Sequence, residues 1–338
     1  MESDGRLGHE PVLLAEVMEL LAVKPGGRWV DGTLGLGGHA SEVLRRSAPD
    51  GRLLGFDRDP AALARAATVL APFGPRAELH HARYSEIPTF VEEASADGLL
   101  LDLGVSSLQL DDPERGFSFR REGPLDMRME KRGPSAADAV NHLTEGELAD
   151  IFHVLGEEPA ARRVARGIVY RRRSQPFATT LDLAETIERS LGGRRGKPTH
   201  PATRAFQALR MYVNDETGEL VKALSSAERV LKPGGRLVVV TFHSIEDRIV
   251  KTFLRDRSGH APGASRHLPG SPKGAAPSFE VLQRKPLEPS EAEIEANPRS
   301  RSSRLRWALR TEAAAWAAQA GDDLPRLPGL KQLEGVES

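Results

Sequence analysis

Between residues 12 and 21 the chain reads VLLAEVMELL, with apolar positions at the spacing of one helix face, and the Pro-Gly-Gly at 25–27 ends that pattern. RWVDG at 28–32 is then a short apolar run of the kind that forms a buried strand. After a glycine-rich stretch, HASEVLRRS (39–47) returns to a helical pattern, and GRLLGFDRD (51–59) is a second strand ending in acids. AALARAATVLAPFG (61–74) is helical and closes on proline and glycine. AELHHARY (77–84) and DGLLLDLG (97–104) are the third and fourth strands. Strands separated by helices require right-handed crossovers, which predicts an α/β fold with a mostly parallel, Rossmann-like sheet covered on both faces.

The alternation stops near residue 110. A loop rich in Pro and Gly, DDPERGFSFRREGPLDMRM (111–129), leads into helical segments such as LTEGELADIFHVLG (143–156) and ATTLDLAETIERSL (178–191), and no strong strand returns until GRLVVVTFHS at 235–244. An all-helical insertion in the α/β domain accounts for this. The expected organisation is a core in two parts, 1–109 and 216–312, a helical insertion at 110–215 and a flexible tail at 313–338. The Gly, Pro and Ser-rich 258–278 reads as a mobile loop, and FEVLQRKP (279–286) with SRLRWALR (303–310) as a terminal antiparallel pair.

Composition adds limits. At 338 residues, 39% hydrophobic and 28% charged, the chain has a soluble globular balance, and no apolar run approaches a membrane span. The opening MESDGRLGHE has no basic region followed by an apolar one, so no secretory signal is expected there. The absence of cysteine excludes disulfides, thiolate metal sites and a thiol nucleophile, and fits a cytoplasmic location. The net charge of -1 conceals a basic region: from Arg162 to Arg210 twelve basic residues face three acids, and Arg299 to Arg310 holds five arginines and no acid. Such clusters are the footprint of phosphate binding, or else solvated helix faces.

The candidate chemistry centres on RWVDGTLGLGGHASEVL (28–44). Gly35, Gly37 and Ala40 fit G-x-G-x-x-G/A, with Asp57 twenty residues beyond Gly37 where a ribose-binding acid belongs. An NAD-dependent oxidoreductase is one reading. Asp31 before the glycines would repel a pyrophosphate but suits the cationic methionine end of S-adenosylmethionine (SAM). Asp102 closes the fourth strand beside the switch point where such sheets bind ligands.

HEPVLL (9–14), DGTLGLGGH (31–39), FDRDP (56–60), LLDLGVSSLQLDDPERGFSF (100–119), GPLDMRM (123–129), HPATRAFQALRMYVN (200–214), LKPGGRLVVVTFHSIEDRIVK (231–251) and NPRSRSSRLR (297–306) together resemble the ribosomal RNA small-subunit methyltransferase H family, also called MraW. The resemblance implies a class I SAM-dependent methyltransferase fold with an inserted helical domain, and methylation of the exocyclic N4 of a decoding-centre cytidine in 16S rRNA. It implies SAM contacts at Gly37, Gly38, His39, Asp57, Tyr84, Asp102 and Gln109, with Asp57 on the ribose and Tyr84 near the adenine. The family often has phenylalanine where Tyr84 stands and proline where Leu108 stands.

Methyl transfer to N4 needs alignment and an acceptor for an N4 proton. Amino methyltransferases commonly carry an acidic or amide residue, two prolines and an aromatic there; here the stretch is DLGVSS (102–107). Asp102 is the first catalytic candidate and His243 the second, with Asp126 and Glu246 as other acceptors. No metal is expected, since no cluster has ligand spacing and His80 and His81 alternate on a strand. The implied partner is 16S rRNA or the small subunit, no membrane partner is expected, and a homodimer is allowed. The basic patches also suit a non-catalytic RNA-binding protein, in which the acids after the strands would have no task.

Overall fold

The computed structural model describes residues 11–194, 196, 199–259, 275–316 and 327–333. In chain order the first elements are α1 (Leu14–Leu21), β1 (Arg28–Asp31), α2 (Gly38–Arg46), β2 (Arg52–Asp57), α3 (Pro60–Leu70), β3 (Ala77–His81), α4 (Ile87–Phe90) and β4 (Ala96–Asp102). Six helices follow: α5 (Ser107–Asp111), α6 (Ala136–His142), α7 (Glu145–Val154), α8 (Ala161–Arg171), α9 (Thr180–Ser190) and α10 (Thr203–Val213). The chain closes with α11 (Glu216–Val230), β5 (Leu231–Thr241), α12 (Ser244–Arg257), β6 (Phe279–Glu280), α13 (Glu291–Ala296) and β7 (Arg304–Arg310).

The chain divides into two compact units, Met1–Gly104 with Glu219–Ala320, and Val105–Gly218 with Gly321–Ser338. In the first, the strand order is β3-β2-β1-β4-β5-β7-β6. Neighbours from β3 to β5 are parallel, and β7 runs antiparallel to both β5 and β6. This is the mostly parallel class I arrangement expected from the sequence, with the terminal pair in place.

Side-chain alternation along the strands divides the core into two layers. Leu54, Leu99, Leu101 and Val239 pack with Leu220, Leu224, Val250 and Leu254 of α11 and α12. Their neighbours Leu53, Leu100, Val238 and Val240 pack on the other face with Val17, Met18, Val43, Leu44 and Leu70 of α1, α2 and α3. Strands buried on both faces read as continuous apolar runs, which is why LLL and LVVV were legible as strands. Each such side chain contributes roughly 1.5–3 kcal/mol by leaving water.

The Pro-Gly-Gly at 233–235, expected to precede the fifth strand, lies within it. Pairing steps from Ala96↔Leu231 to Gly98↔Arg236, so the intervening residues bulge out, with Gly234 at φ 79. Lys232 at that bulge meets Asp97 at 2.6 Å. α3 is started by Asp59, whose carboxylate accepts the Ala61 N–H, followed by Pro60 at its first position.

Arginines fasten the reversed strand. Arg306 donates to both Asp247 oxygens, at 2.7 and 3.0 Å. Arg310 donates to the carbonyls of Glu228, Ser278 and Ala313. Arg257, almost fully buried, donates to Glu228 Oε2 at 3.1 Å and lies 4.5 Å from the Trp316 ring centroid. Glu228 Oε1 accepts the Trp316 N–H, which ties residue 316 of the tail to this knot.

The second unit is helical, with Val140, Leu148, Ile151, Phe152, Val164, Ile168 and Leu209 buried. Its loop after α5 holds Met127 at φ 62, and Asn214 clamps that turn by donating to the Met127 carbonyl and accepting the Met129 N–H. In the tail, Leu333 is buried and Gln332 donates to Glu147. Residues 260–274 of the expected mobile loop lie outside the described residues. Among the described residues no helix is long and apolar enough to cross a membrane.

Removing Glu228 would leave the Arg257 guanidinium buried without its countercharge. Glu228→Ala is therefore expected to lower the unfolding free energy by about 3–5 kcal/mol, read from the urea midpoint at neutral pH, and Glu228→Gln by less.

Candidate active site

Three neighbouring parallel strands end on an aspartate at the same sheet edge: Asp31 on β1, Asp57 on β2 and Asp102 on β4. The strand order reverses between β1 and β4, since the chain goes on from β1 to β2 and from β4 to β5, and this switch point is where sheets of this kind bind ligands. The glycine turn after β1 is stitched over this edge: Gly32 donates its N–H to the Leu100 carbonyl and Leu34 to that of Phe56. Gly35 (φ 52) and Gly37 (φ 81) occupy the left-handed region that other residues enter at a cost. With the turn so placed, the Gly35 N–H donates to Asp57 Oδ2 at 2.8 Å, and Asp57 Oδ1 accepts the Asp59 N–H. A Cβ on Gly32 would stand 3.2 Å from Tyr84 Cβ, which puts Tyr84, just after β3, beside the turn. Gly38 opens α2 against Pro11, whose Cγ a Cβ there would meet at 2.4 Å.

Thr33, which the sequence reasoning passed over, links two of the acids. Its Oγ1 accepts the Asp102 N–H at 2.6 Å, and its N–H donates to Asp31 Oδ1 at 3.1 Å. The available signal was its position two residues after a strand-terminal acid. His39 is buried: Nε2 donates to the Val12 carbonyl at 3.1 Å, and Nδ1 lies 3.6 Å from Asp102 Oδ2. That tautomer follows from the carbonyl's being an acceptor only.

Burial dominates the electrostatics. It pushes the Asp31 carboxyl up to about 7, against the Thr33 backbone bond and with the Asp57 charge adding to it. It pushes Asp57 up to about 6 and holds Asp102 well above the carboxylate range, where the charges of Asp31 and Glu246 raise it further. The same desolvation drives His39 down to about 4, with the Val12 carbonyl opposing. His39 and Asp102 are therefore not an ion pair. Asp102 Oδ1 is covered and without a hydrogen-bond partner, and among the described residues no lysine or arginine forms an ion pair with Asp31, Asp57 or Asp102. Such an acid cluster suits a ligand that brings positive charge and hydroxyl donors.

His243, two residues after β5, caps α12: Nδ1 accepts the Glu246 N–H at 3.4 Å, and Nε2 lies 3.0 Å from Glu246 Oε1. Glu246 Oε2 in turn accepts the Phe242 N–H. Gln109 belongs to the second unit, where it is buried and forms a reciprocal cap with Ser106 at the start of α5. Asp126, in that unit too, has both oxygens bonded by the Arg128 side chain, so it is no free acceptor.

Several arginines expected to meet phosphate have other work. Arg171 bonds Asp182 and the Gln175 carbonyl, Arg172 the Val140 carbonyl, Arg204 the Glu157 carbonyl, and Arg210 forks onto Glu216. Arg304 and Arg306 brace the sheet through Asp247, and Arg301 is exposed. Side chains 195 and 197 lie outside the described residues.

A family model described as the MraW methylase family matches residues 6–311. Proteins called ribosomal RNA small subunit methyltransferase H are similar to this chain across nearly their whole length. The one from Caulobacter vibrioides (strain NA1000 / CB15N) is 57% identical over 310 residues, 92% of this chain and 98% of that protein. Those of Hyphomonas neptunium and Rhizobium etli are 53% and 50% identical, covering 97% and 98% of this chain and 95% and 96% of theirs.

Asp31 keeps its proton up to about pH 7 in the native state but releases it near 3.8 when unfolded, so rising pH between those values favours unfolding. Asp31→Asn is expected to match the parent near pH 4, to gain stability relative to it as pH rises to about 7, and to level off above. The gain, on the order of a few kcal/mol, is measured by thermal melts of both proteins across that range.

Proposed function

The chain belongs to the MraW methylase family, and on that premise we propose that it transfers a methyl group from SAM to the exocyclic N4 of a decoding-centre cytidine in 16S rRNA, in the cytoplasm. The observation that carries this reading is the acid cluster on β1, β2 and β4, with Asp31 buried and Asp57 and Asp102 half-buried, bordered by a glycine turn and, among the described residues, in no ion pair with lysine or arginine, with Asp102 Oδ1 unpartnered. SAM supplies an electrophilic methyl group on a positively charged sulfur. Asp57, fixed by Gly35 and Asp59, is the ribose acceptor; Asp31 faces the cationic methionine end; Gly37, Gly38 and His39 form the turn beneath it. Tyr84 lies toward the adenine, and Gln109 completes the set. An NAD enzyme would have to set a pyrophosphate against Asp31, and a pure RNA binder would leave the acid cluster idle.

Cytosine N4 is a weak nucleophile because its lone pair is delocalised into the ring. A carboxylate oxygen accepting an N4 hydrogen localises that pair and then takes the proton. We assign this to Asp102, because one of its oxygens has no partner and because burial makes its carboxylate a stronger base than an exposed one. His39 at 3.6 Å, neutral, bounds the other oxygen without neutralising it. His243, the second candidate, is a helix cap that holds Glu246, whose charge in turn raises the proton affinity of Asp102. The remaining work is alignment in a site that excludes water. Recognition of RNA falls to the helical unit.

The test is transfer of labelled methyl from SAM to small subunits that lack the modification, with nucleoside analysis. The wild type should yield N4-methylcytidine, and Asp102→Ala should lose about 10²- to 10⁴-fold in turnover. Calorimetric SAM binding separates lost catalysis from lost affinity, and Asp57→Ala should lose affinity first. Folded protein that methylates neither subunits nor naked rRNA overturns the reading.

A further inference from the structure

Within the second unit, α8 (Ala161–Arg171) buries Ala161, Val164, Ala165 and Ile168 on one face. At 100° per residue the opposite face carries Arg162, Arg163, Arg166 and Tyr170, all exposed, and Arg173 lies exposed just beyond the helix end. Tyr170 is 75% exposed and, among the described residues, is the one large hydrophobic side chain left out in this unit.

The placement does not serve helix stability. Arg162 and Arg163 sit in the first turn, where positive charge opposes the helix dipole, and the N-cap is Ala160, which offers no side-chain acceptor. Glu158 is buried and bonds the Ala160 N–H, and the acid facing the stripe is Glu145, 3.4 Å from Arg166. The neighbouring Arg171 and Arg172 are turned inward onto Asp182 and the Val140 carbonyl, so the fold separates structural arginines from outward ones.

We infer that this face of α8 holds an unpaired stretch of the substrate RNA, with its arginines on successive phosphates and Tyr170 stacked on one base. The inference rests on the reading of the chain as an RNA methyltransferase. Arg162 to Tyr170 spans about 12 Å along the helix, with Arg173 just beyond its end, the length of a few nucleotides. A protein partner would call for a larger apolar centre than one tyrosine supplies. Arginine and an aromatic together match phosphate and base face.

The full-length chain is titrated with a fluorescein-labelled, unstructured 12-nucleotide RNA of mixed sequence at several salt concentrations. Tyr170→Ala should weaken binding roughly ten-fold with the salt dependence unchanged, and Tyr170→Phe should restore it. Arg162→Gln/Arg163→Gln should reduce the slope of log affinity against log salt by about 1.4. In methyl transfer these variants should raise KM for small subunits and leave kcat and SAM affinity unchanged. Circular dichroism verifies folding, and the Ala and Phe variants at position 170 test the stack should the arginine pair perturb the helix. If both variants bind the RNA like a wild type that methylates subunits, the surface is wrong and the activity stands. If the wild type binds through these residues yet methylates no RNA, the activity reading fails and the surface stands. Displacement of the RNA by polyglutamate with no effect of Tyr170→Ala would make the stripe a protein-binding face and overturn the inference.

Discussion

Asp31 and Asp102 stand at the ends of neighbouring parallel strands, and the charge of Asp31 adds to the burial that raises the proton affinity of Asp102. Parallel pairing of β1 with β4 brings together two acids that lie 71 positions apart in the chain, and helices on both faces remove the water that would have screened them. Thr33 makes the arrangement tolerable by bonding one carboxylate while holding the other strand by its backbone. Without a cationic ligand the cluster is under electrostatic stress that neutral carboxyl groups relieve. A ligand bearing positive charge allows the acids to ionise, so binding at neutral pH is coupled to proton release.

The rest of the first unit serves to keep that edge rigid. Asp57 is fixed by two backbone N–H groups, and His39 is fixed by Val12 from the segment before the sheet. The reversed strand is held by arginine forks onto Asp247 and by Arg257 beneath Glu228. Buried arginine with its countercharge adds little net stability but is costly to break. Such pairs make the packing specific where apolar contacts alone would allow sliding.

Much of the fold was legible because its signals are local. A two-residue period and continuous apolar runs mark strands, helical spacing marks the crossovers, and a terminal acid marks each strand's functional end. The Pro-Gly-Gly before the fifth strand misled because Gly234 can enter a bulge as easily as a turn, and pairing with β4 on both sides of it decided the outcome. The burial of His39 was not legible because nothing within its own helix shows that the Val12 carbonyl bonds it. For Thr33 the one signal was its place two residues after a strand-terminal acid, and a threonine there is ordinary until two carboxyl-bearing strands meet beside it.

By itself the sequence determined the layered α/β core, the position of the glycine turn and the acids that close the strands, along with the motifs that place the chain in its family. Those features depend on neighbours within a few positions, which periodicity and composition record. Only the tertiary structure decided which charges are free and which are engaged. Arg171 and Arg173 are two residues apart in one basic run, yet one is bonded to Asp182 and the other is exposed. The availability of a charged group depends on what packs against it from distant parts of the chain, and the burial that shifts Asp31, Asp57 and Asp102 has the same origin.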